Sequence, residues 1–248
     1  MSAPIKMDFV IDEDHLLMHT LTHIGYQVVQ KDIDVLRYKA SMISTNGYDF
    51  LLKKVLFSGA YSWEDPDAQT ALDLREALKE TAEFQCIVDQ TKTGQDKIEQ
   101  EWNANLEKSF EFMQQITGLP LDHTYTVFVT HPSLSNGRYY GNRQISWGGP
   151  LEFENDNTVY LWHEVLHDEE YLGINNNVNH AIIELLADNA LRAHLNGESL
   201  EKLTGHSSLH EVRAAIYADD WQQYIKNPEK NILKFKSEMR KKYKKSCP

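Results

Sequence analysis

Two histidines four residues apart, with a glutamate between them, form the most chemically informative stretch of this chain. Residues 163–167 read His-Glu-Val-Leu-His. Side chains at positions i and i+4 of an α-helix lie on the same face, so His163 and His167 can bind one zinc ion together. Glu164 lies beside that face, where its carboxylate can take a proton from a water activated by the metal. The spacing therefore predicts zinc-dependent hydrolysis with Glu164 as the general base.

Apolar residues around this motif predict a helix that is buried on one side. Residues 159–162 read Val-Tyr-Leu-Trp, and Val165 and Leu166 lie inside the motif. Asp156 or Asn157 is suited to cap the start of such a helix. The motif is therefore expected on a buried helix, as a protein-bound zinc ion requires.

A third ligand is needed, because catalytic zinc usually has three protein ligands and keeps its fourth position for water. Residues 179–192 predict a second helix that ends near Asn196-Gly197. His180, Glu184 and Asp188 follow at steps of four along one face of this otherwise apolar helix. Buried carboxylates require partners, which zinc can supply to Glu184 and a zinc-bound histidine can supply to Asp188. We therefore predict Glu184 as the third ligand, with His180, one turn away, as the alternative.

On these residues the chain resembles the gluzincins, the thermolysin-like zinc metallopeptidases in which His-Glu-x-x-His is followed on a second helix by a glutamate ligand. The resemblance covers about residues 158–192. Residues 184–188 read Glu-Leu-Leu-Ala-Asp, similar to the Glu-x-x-x-Asp of thermolysin relatives. The resemblance implies a metallopeptidase that holds one zinc ion and hydrolyses peptide or protein substrates. The implied roles are zinc ligands for His163, His167 and Glu184, general base for Glu164, and support of a zinc histidine for Asp188.

Two segments before the motif predict neighbouring β-strands. Residues 124–130 alternate and are rich in β-branched and aromatic types, and residues 138–147 follow after a turn-rich link. The sequence thus predicts an α+β fold, mostly helical, with a small β-sheet preceding a zincin-type pair of active-site helices. Residues 138–147 are either an edge that pairs with an extended substrate or a plain hairpin.

The first half of the chain is expected to be helical and to join the rest in one compact unit. Apolar residues at three-four spacing predict helices at about 11–29, 31–44, 48–57, 67–89 and 95–116. Gly118-Leu119-Pro120 is the best internal boundary. It separates a helical N-terminal subdomain, 1–118, from a zincin-like catalytic subdomain with a basic C-terminal helix, 119–248.

Other histidines and polar residues offer further chemistry without a unique assignment. His15, His19 and His23 stand at steps of four, which suits either a second metal site or, as we prefer, a solvated or packed helix face. Hydrolysis of an amide also needs a donor to the developing oxyanion. Spacing leaves that choice open among His206, His210, Tyr217, Tyr139, Tyr140 and Arg143.

Charge and composition restrict the partners. The net charge of −12 argues against nucleic acid as a partner. Residues 226–248 nevertheless hold nine Lys/Arg and only two acids, which predicts an amphipathic helix across the acidic body, with membrane or RNA contact as the alternative. No apolar stretch has membrane-spanning length, and the N-terminus lacks a secretory pattern. We expect a cytoplasmic protein, with signal-independent export as the alternative.

The alternative hypothesis, from another functional class, is that the chain is a non-enzymatic helical binding protein with a structural or vestigial zinc site. The coordination of the metal separates the two hypotheses, because an enzyme must leave one position open to a cleft. A site closed by a fourth protein ligand would favour the binding protein. The two cysteines, Cys86 and Cys247, predict no disulfide framework.

Overall fold

The fold is α+β and mostly helical, as predicted. The structure, a computed structural model, describes residues 5–22, 30–44, 48, 69–134, 137–148, 154–173, 176–197 and 203–243. Within these residues one sheet contains β1 (Lys6–Val10), β2 (Thr124–Val129), β3 (Arg138–Gly141) and β4 (Gln144–Trp147).

The same described residues contain the α-helices. In chain order they are α1 (Glu13–Thr22), α2 (Gln30–Ile43), α3 (Gln69–Lys79), α4 (Ala82–Thr117), α5 (Asp156–Leu166), α6 (Asn177–Glu184), α7 (Arg192–Asn196), α8 (His210–Ile216), α9 (Gln222–Lys226) and α10 (Ile232–Tyr243). A π-helical segment, Leu185–Leu191, joins α6 to α7, and another, Tyr217–Trp221, joins α8 to α9. Among the described residues, no helix is both long and apolar enough to cross a bilayer.

The sheet has the order β1-β2-β4-β3, so β3 is an edge strand. β2 runs parallel to both β1 and β4, and β3 is antiparallel to β4. The predicted segments 124–130 and 138–147 correspond to β2 and to the β3–β4 hairpin. Asn142 and Arg143 form the tip of this hairpin with φ of 49° and 60°, the left-handed geometry that matches strand twist in a tight hairpin. β1 was not predicted.

One long helix replaces the break that the sequence suggested between residues 89 and 95. α4 is 36 residues long and begins after Thr81, whose hydroxyl accepts a hydrogen bond from the Phe84 N–H. The prediction of helices at 67–89 and 95–116 was therefore wrong about where the chain turns. Gly94 lies in the middle of α4 and packs against Pro132. The predicted helix 48–57 falls outside the described residues except for Tyr48.

Two groups of buried apolar side chains form the core of the described part of the chain, and α4 contributes to both. Its C-terminal half belongs to a cluster that also contains side chains of the sheet, α5, α6 and α10, and its Trp102 lies at a ring-centroid distance of 5.8 Å from Trp162. Its N-terminal half packs with α1, α2 and α3 around Leu17 and Phe84. The predicted subdomain boundary at residue 118 stays a prediction, but a single helix links the two cores.

The basic C-terminal segment forms an amphipathic helix that packs onto the protein. α10 buries Ile232, Phe235, Met239 and Tyr243 at the three-four spacing of one helix face. The Lys242 ammonium bonds both oxygens of Asp220, at 3.0 and 2.8 Å. The apolar face of α10 is therefore buried against the rest of the protein, and Lys242 pairs with an acidic residue there.

We predict that Gly118→Ala destabilises the protein more than Gly197→Ala. Both glycines end helices in the left-handed region, with φ of 71° and 68°. Each alanine should lose about 1–2 kcal/mol through the unfavourable φ. At position 118 the new Cβ would also overlap the Lys230 carbonyl oxygen, whereas at 197 it meets open space. Urea unfolding should give a larger loss for Gly118→Ala, and equal losses would contradict the packing at the start of α10.

Candidate metal centre

The helix that carries the motif is fixed at its N-terminus by a carboxylate from α4. α5 follows Asn155, which has φ of 62° and makes no side-chain cap. The Glu101 carboxylate instead accepts hydrogen bonds from the Thr158 N–H at 2.8 Å and the Asn157 side-chain amide at 2.6 Å. A negative charge is stabilising at this position, because the first N–H groups of a helix have no partner within it. The capping predicted for Asp156 or Asn157 is therefore supplied from another helix.

Three histidines converge where α5 meets α6. His163 and His167 come from α5, and His180 comes from α6; the three offer ring nitrogens within 4.8 Å of one another. The Nε2 atoms of His163 and His180 are 3.3 Å apart. Two nitrogens bound to one tetrahedral zinc ion at 2.0–2.1 Å are expected roughly 3.3–3.4 Å apart. The cluster could thus hold a metal ion, and its nitrogen donors and spacing fit zinc.

Asp188 holds one of these histidines in a defined orientation. Both of its carboxylate oxygens lie 3.1 Å from Nδ1 of His163, which leaves Nε2 of that ring to face His180. A carboxylate on the second ring nitrogen is the usual support of a zinc histidine, because it fixes the tautomer and the ring orientation. The predicted contact between Asp188 and a motif histidine is thus present in the structure.

The π-helical segment after α6 helps to place Asp188. Its wider turns free backbone carbonyls, and the Asn189 amide donates to one of them, Glu184 O, at 2.7 Å. The same amide donates to Thr204 O at 3.0 Å, and the Thr204 N–H returns a bond to Asn189 Oδ1 at 2.8 Å. These hydrogen bonds connect the loop before α8 to the helical segment that carries Asp188.

Two of the three histidine rings in the cluster have lowered pKa values. Burial, followed by repulsion from the neighbouring histidines, lowers the pKa of His167 to about 2 and that of His180 to about 4. Burial acts to lower the pKa of His163, but the Asp188 carboxylate, together with Glu164 and Glu184, outweighs burial and raises that pKa to about 9. The buried Nδ1 of His167 has no hydrogen-bond partner among the described residues. Two of the three rings therefore offer neutral nitrogens at neutral pH, as metal ligation requires.

Glu164 lies beside the cluster and faces the edge strand. It is 6% exposed, and the Tyr160 hydroxyl and the Tyr139 backbone N–H lie near its carboxylate. Burial raises the pKa of Glu164 above its ordinary value, although His163 and these two donors act in the opposite direction. A carboxyl group with a raised pKa is suited to accept and return a proton near neutral pH.

Glu184 is held by other residues. Its carboxylate is fully buried; one oxygen accepts from the backbone N–H and from Nδ1 of His206, both at 2.7 Å. The other oxygen pairs with the guanidinium of Arg213, which is 2% exposed. Burial tends to raise the pKa of Glu184, but its bonds to His206 and Arg213 lower it overall. The carboxylate is therefore an anion whose two oxygens are both engaged by protein donors.

The structure thus places the predicted ligands in two neighbouring groups. His163 and His167 lie with His180, which was the alternative third ligand, whereas Glu184 lies with His180 and His206. Ligation by Glu184 stays a prediction, and the geometry favours His180. The pair of Glu184 and Arg213 was not predicted from the sequence, because nothing in the spacing links the two residues.

The loop before α8 passes close over Glu184. Gly205 has φ of 133°, and a Cβ at this position would overlap the Glu184 carboxylate and the Arg213 guanidinium. The next residue, His206, keeps 61% of its side chain exposed and lies with its ring 4.8 Å from that of His180. Among the candidates for an oxyanion donor, His206 is therefore beside the histidine cluster, while His210 is exposed on α8.

A cavity of about 730 Å³ adjoins the cluster. The β3–β4 hairpin and the chain after α5 line it, with the residues Arg138, Tyr139, Tyr140, Gly141, Asn142, Arg143, His167, Asp168, Glu169 and Glu170. Arg143 binds Glu170 at 2.7 Å across this cavity. Because His167 belongs to both the cluster and the lining, the cavity gives access to the cluster from the edge of the sheet.

His15 and His19 on α1 are part of the packed interior. His15 donates or accepts a hydrogen bond at 3.1 Å with the Ser146 hydroxyl and stacks on Phe128 at a centroid distance of 4.9 Å. The ring of His19 lies 6.2 Å from that of His15, and His23 falls outside the described residues. Within the part of the chain that is described, neither His15 nor His19 belongs to a group of three metal-ligating donors.

Arg213→Met should destabilise the protein by about 3–5 kcal/mol, because it leaves the Glu184 carboxylate buried without its main countercharge. Adding Glu184→Gln should recover part of this loss. Since the folded state lowers the pKa of Glu184 below its ordinary 4.5, the stabilisation is complete above that pH and is lost as the pH falls through the lower, folded-state value. Urea unfolding at several pH values measures this, and a pH-independent difference between wild type and Arg213→Met would contradict it.

No family model, curated protein or solved structure matches this chain.

Proposed function

We propose that this protein is a zinc-dependent hydrolase that cleaves peptide bonds, with its zinc ion held by His163, His167 and His180. The observation that carries this proposal is the 3.3 Å separation between the Nε2 atoms of His163 and His180, which face each other from two helices. That spacing suits a shared tetrahedral ion. Asp188 supports the set by fixing the ring of His163.

Three nitrogen ligands and an adjoining cavity favour a catalytic rather than a closed site. Imidazole is a preferred ligand of zinc, and catalytic zinc sites combine three protein ligands with an open position. The nearest candidate for a fourth ligand, His206, lies outside the group that His163, His167 and His180 form. The open position would face the cavity that His167 lines.

Glu164 is the residue proposed to move protons. A bound zinc ion would lower the pKa of a coordinated water and polarise the carbonyl group of the substrate. Glu164 takes the proton as the water oxygen attacks the carbonyl carbon, and then gives that proton to the nitrogen of the leaving amine. Its raised pKa suits both steps, and the nearby Tyr160 hydroxyl and Tyr139 N–H favour its charged form.

The shape of the cavity favours an extended peptide as substrate. Residues 138–141 of β3 line it, and β3 is an edge strand of the sheet, to which an extended chain can add by backbone hydrogen bonds. The net charge of −12 disfavours a nucleic acid. A peptide or protein substrate is therefore the best match.

The second candidate function is a non-enzymatic protein with a structural zinc site. The low exposure of the two motif histidines, 6% each, is the observation that favours it. In that case a fourth protein ligand, for which His206 is nearest, would complete the coordination. X-ray absorption on the zinc-loaded protein distinguishes the two functions, because a water oxygen or a fourth imidazole nitrogen would occupy the remaining position.

Glu164→Gln should keep the zinc and lose turnover, because the substitution removes the base and no ligand. We expect one zinc ion per chain by mass spectrometry and a rate of hydrolysis of labelled casein that falls by about 10²–10⁴-fold. Glu111→Gln is the control, since Glu111 is an exposed glutamate on α4. Wild-type turnover in Glu164→Gln would refute the mechanism.

His180→Ala should weaken zinc binding more than Glu184→Gln does. Loss of His180 removes a proposed ligand, whereas loss of the Glu184 charge changes an outer contact, which typically costs about 10–100-fold in metal affinity. Competition with a chromophoric chelator measures both affinities. The reverse order would make Glu184 the third ligand, as the gluzincin resemblance implies.

A further inference from the structure

Arg143 lies at the tip of the β3–β4 hairpin in a backbone conformation that arginine rarely adopts. Its φ is 60°, and a tight hairpin with positive φ at both central residues favours glycine at the second of them. Bulky residues in this region are uncommon, and they occur preferentially at functional sites and ligand clamps. The tip thus carries an arginine against the preference of its backbone, which points to a role for the side chain.

A buried carboxylate holds one edge of the guanidinium. Nε of Arg143 lies 3.7 Å from Oδ2 of Asp168, which is 4% exposed. The Tyr125 hydroxyl donates to the same oxygen at 2.8 Å, and the Glu170 N–H donates to Oδ1 at 3.0 Å. Asp168 directly follows His167, and Arg143 and His167 line the same cavity. The guanidinium is therefore anchored close to the histidine cluster.

The other edge of the guanidinium has a partner that can leave. Nη2 of Arg143 binds Glu170 Oε1 at 2.7 Å, but the Glu170 side chain is 61% exposed. Exposed ion pairs add little stability, because water solvates both groups when they separate. Oε2 of Glu170 has a second partner in His123, at 3.0 Å. Among the described residues, every contact of the guanidinium uses Nε or Nη2, so Nη1 has no protein partner there.

These contacts suit the binding of a carboxylate from a peptide. Arginine presents parallel N–H groups that match the two oxygens of a carboxylate, and such paired bonds are stronger than single ones. Nη1 is available, Nη2 becomes available when Glu170 leaves, and Asp168 keeps Nε. β3, Arg138–Gly141, ends at this tip. A peptide extended along β3 therefore brings a chain end or a side chain to Arg143.

The acids of the cavity offer less to a basic side chain. Both oxygens of Asp168 already accept hydrogen bonds, from Tyr125 and from the Glu170 N–H. Both oxygens of Glu170 are engaged as well, by Arg143 and His123. A cation would have to displace these donors, whereas a carboxylate finds a donor group that is free. The arrangement therefore favours an acidic group of the substrate.

We propose that Arg143 binds a carboxylate of the peptide substrate in exchange for Glu170 and thereby sets the specificity of the cavity. This role rests on the proposed hydrolase function. The carboxylate belongs either to the C-terminus of the substrate or to an acidic side chain near the bond that is cleaved. Until a peptide binds, Glu170 takes its place on Arg143. No covalent bond changes in this exchange.

Matched peptides test this role by direct binding. The probes are hexapeptides of alanine and threonine, labelled with fluorescein at the N-terminus, that end in a carboxylate or in an amide. Further amides carry one glutamate or one lysine at each of the last three positions. Fluorescence polarisation gives Kd in proteins that all carry Glu164→Gln, so that no peptide is cleaved. Each Kd is measured with zinc and again with EDTA, because a carboxylate can also bind zinc itself.

Arg143→Gln should abolish the preference for a carboxylate, and Arg75→Gln is the matched control. Arg75 also pairs with one half-buried acid, Asp14, and with an acid that is 60% exposed, Glu76, but it lies on α3 outside the cavity. With Arg143 in place, a carboxylate peptide should bind about 10- to 100-fold tighter than the neutral amide. This difference should fall below about twofold in Arg143→Gln and remain in Arg75→Gln.

Glu170→Gln should widen the preference, because it removes the charge that competes for Arg143. We expect a carboxylate peptide to gain about threefold over its amide, as for the loss of an exposed ion pair. Glu76→Gln is the control and should change nothing. Urea unfolding is measured for every variant. If Arg143→Gln does not fold, Glu170→Gln carries the test, since it changes an exposed side chain and keeps the arginine.

The two carboxylate probes identify the source of the bound group. Tighter binding of the peptide with a free C-terminus, lost in Arg143→Gln, supports recognition of a chain end. Tighter binding of the glutamate amides alone, also lost in Arg143→Gln, supports recognition of an acidic side chain. The proposal is overturned if neither probe exceeds the neutral amide or if the lysine amides bind tightest. Equal loss in Arg75→Gln, or no gain in Glu170→Gln, overturns it too.

Failure of this inference is distinguishable from failure of the proposed function. A wild-type protein that binds no zinc and cleaves no casein would overturn the hydrolase function, whatever the peptides show. The Kd values measured with EDTA still decide whether Arg143 binds a carboxylate. Conversely, an active zinc protein whose peptide binding does not depend on Arg143 would keep the function and lose only the role of this arginine.

Discussion

The buried ion pair between Glu184 and Arg213 is the interaction on which the arrangement of the site depends. Glu184 and Asp188 lie one turn apart on a buried stretch of helix, and each carboxylate needs a partner, because an isolated buried charge is costly. Arg213 and His206 satisfy Glu184, and His163 satisfies Asp188. Since Glu184 is engaged on the far side, His180 is the residue of this helix that meets the two motif histidines.

The long helix α4 provides the rigid support for these contacts. The Glu101 carboxylate of α4 accepts a hydrogen bond from an N–H group in the first turn of α5, and Trp102 of α4 packs against Trp162 of α5. Near its C-terminus, the Ile116 carbonyl accepts the Tyr224 hydroxyl from α9. α4 thereby fixes the helix that carries the motif relative to the segment that carries Arg213. A site built on packed helices fixes the positions of its donor atoms more precisely than a site built on loops.

Local patterns predicted the parts of the site that depend on helix periodicity, and long-range contacts decided the rest. The motif helix, its apolar face and the contact of Asp188 with His163 follow from steps of four along the chain. The choice between His180 and Glu184 as third ligand depends on Arg213, which is 29 residues from Glu184 along the chain. The two side chains meet beside Gly205, where a Cβ would overlap both. β1 was missed for a similar reason: its five residues gain strand character by pairing with β2, more than a hundred residues away.

The contacts of Glu164 also limit how a substrate would lie in the cavity. A peptide that adds to β3 needs free N–H and C=O groups on that strand, yet the Tyr139 N–H lies beside the Glu164 carboxylate and favours its charged form. Under the proposed function, an extended substrate would hydrogen-bond to other groups of β3 and leave the Tyr139 N–H to Glu164. The edge strand would then do two things at once: its other groups align the peptide, and the Tyr139 N–H favours the charged form of the proposed general base. Such a division couples the register of the bound chain to the position of the carboxylate, because both are set by the same short strand.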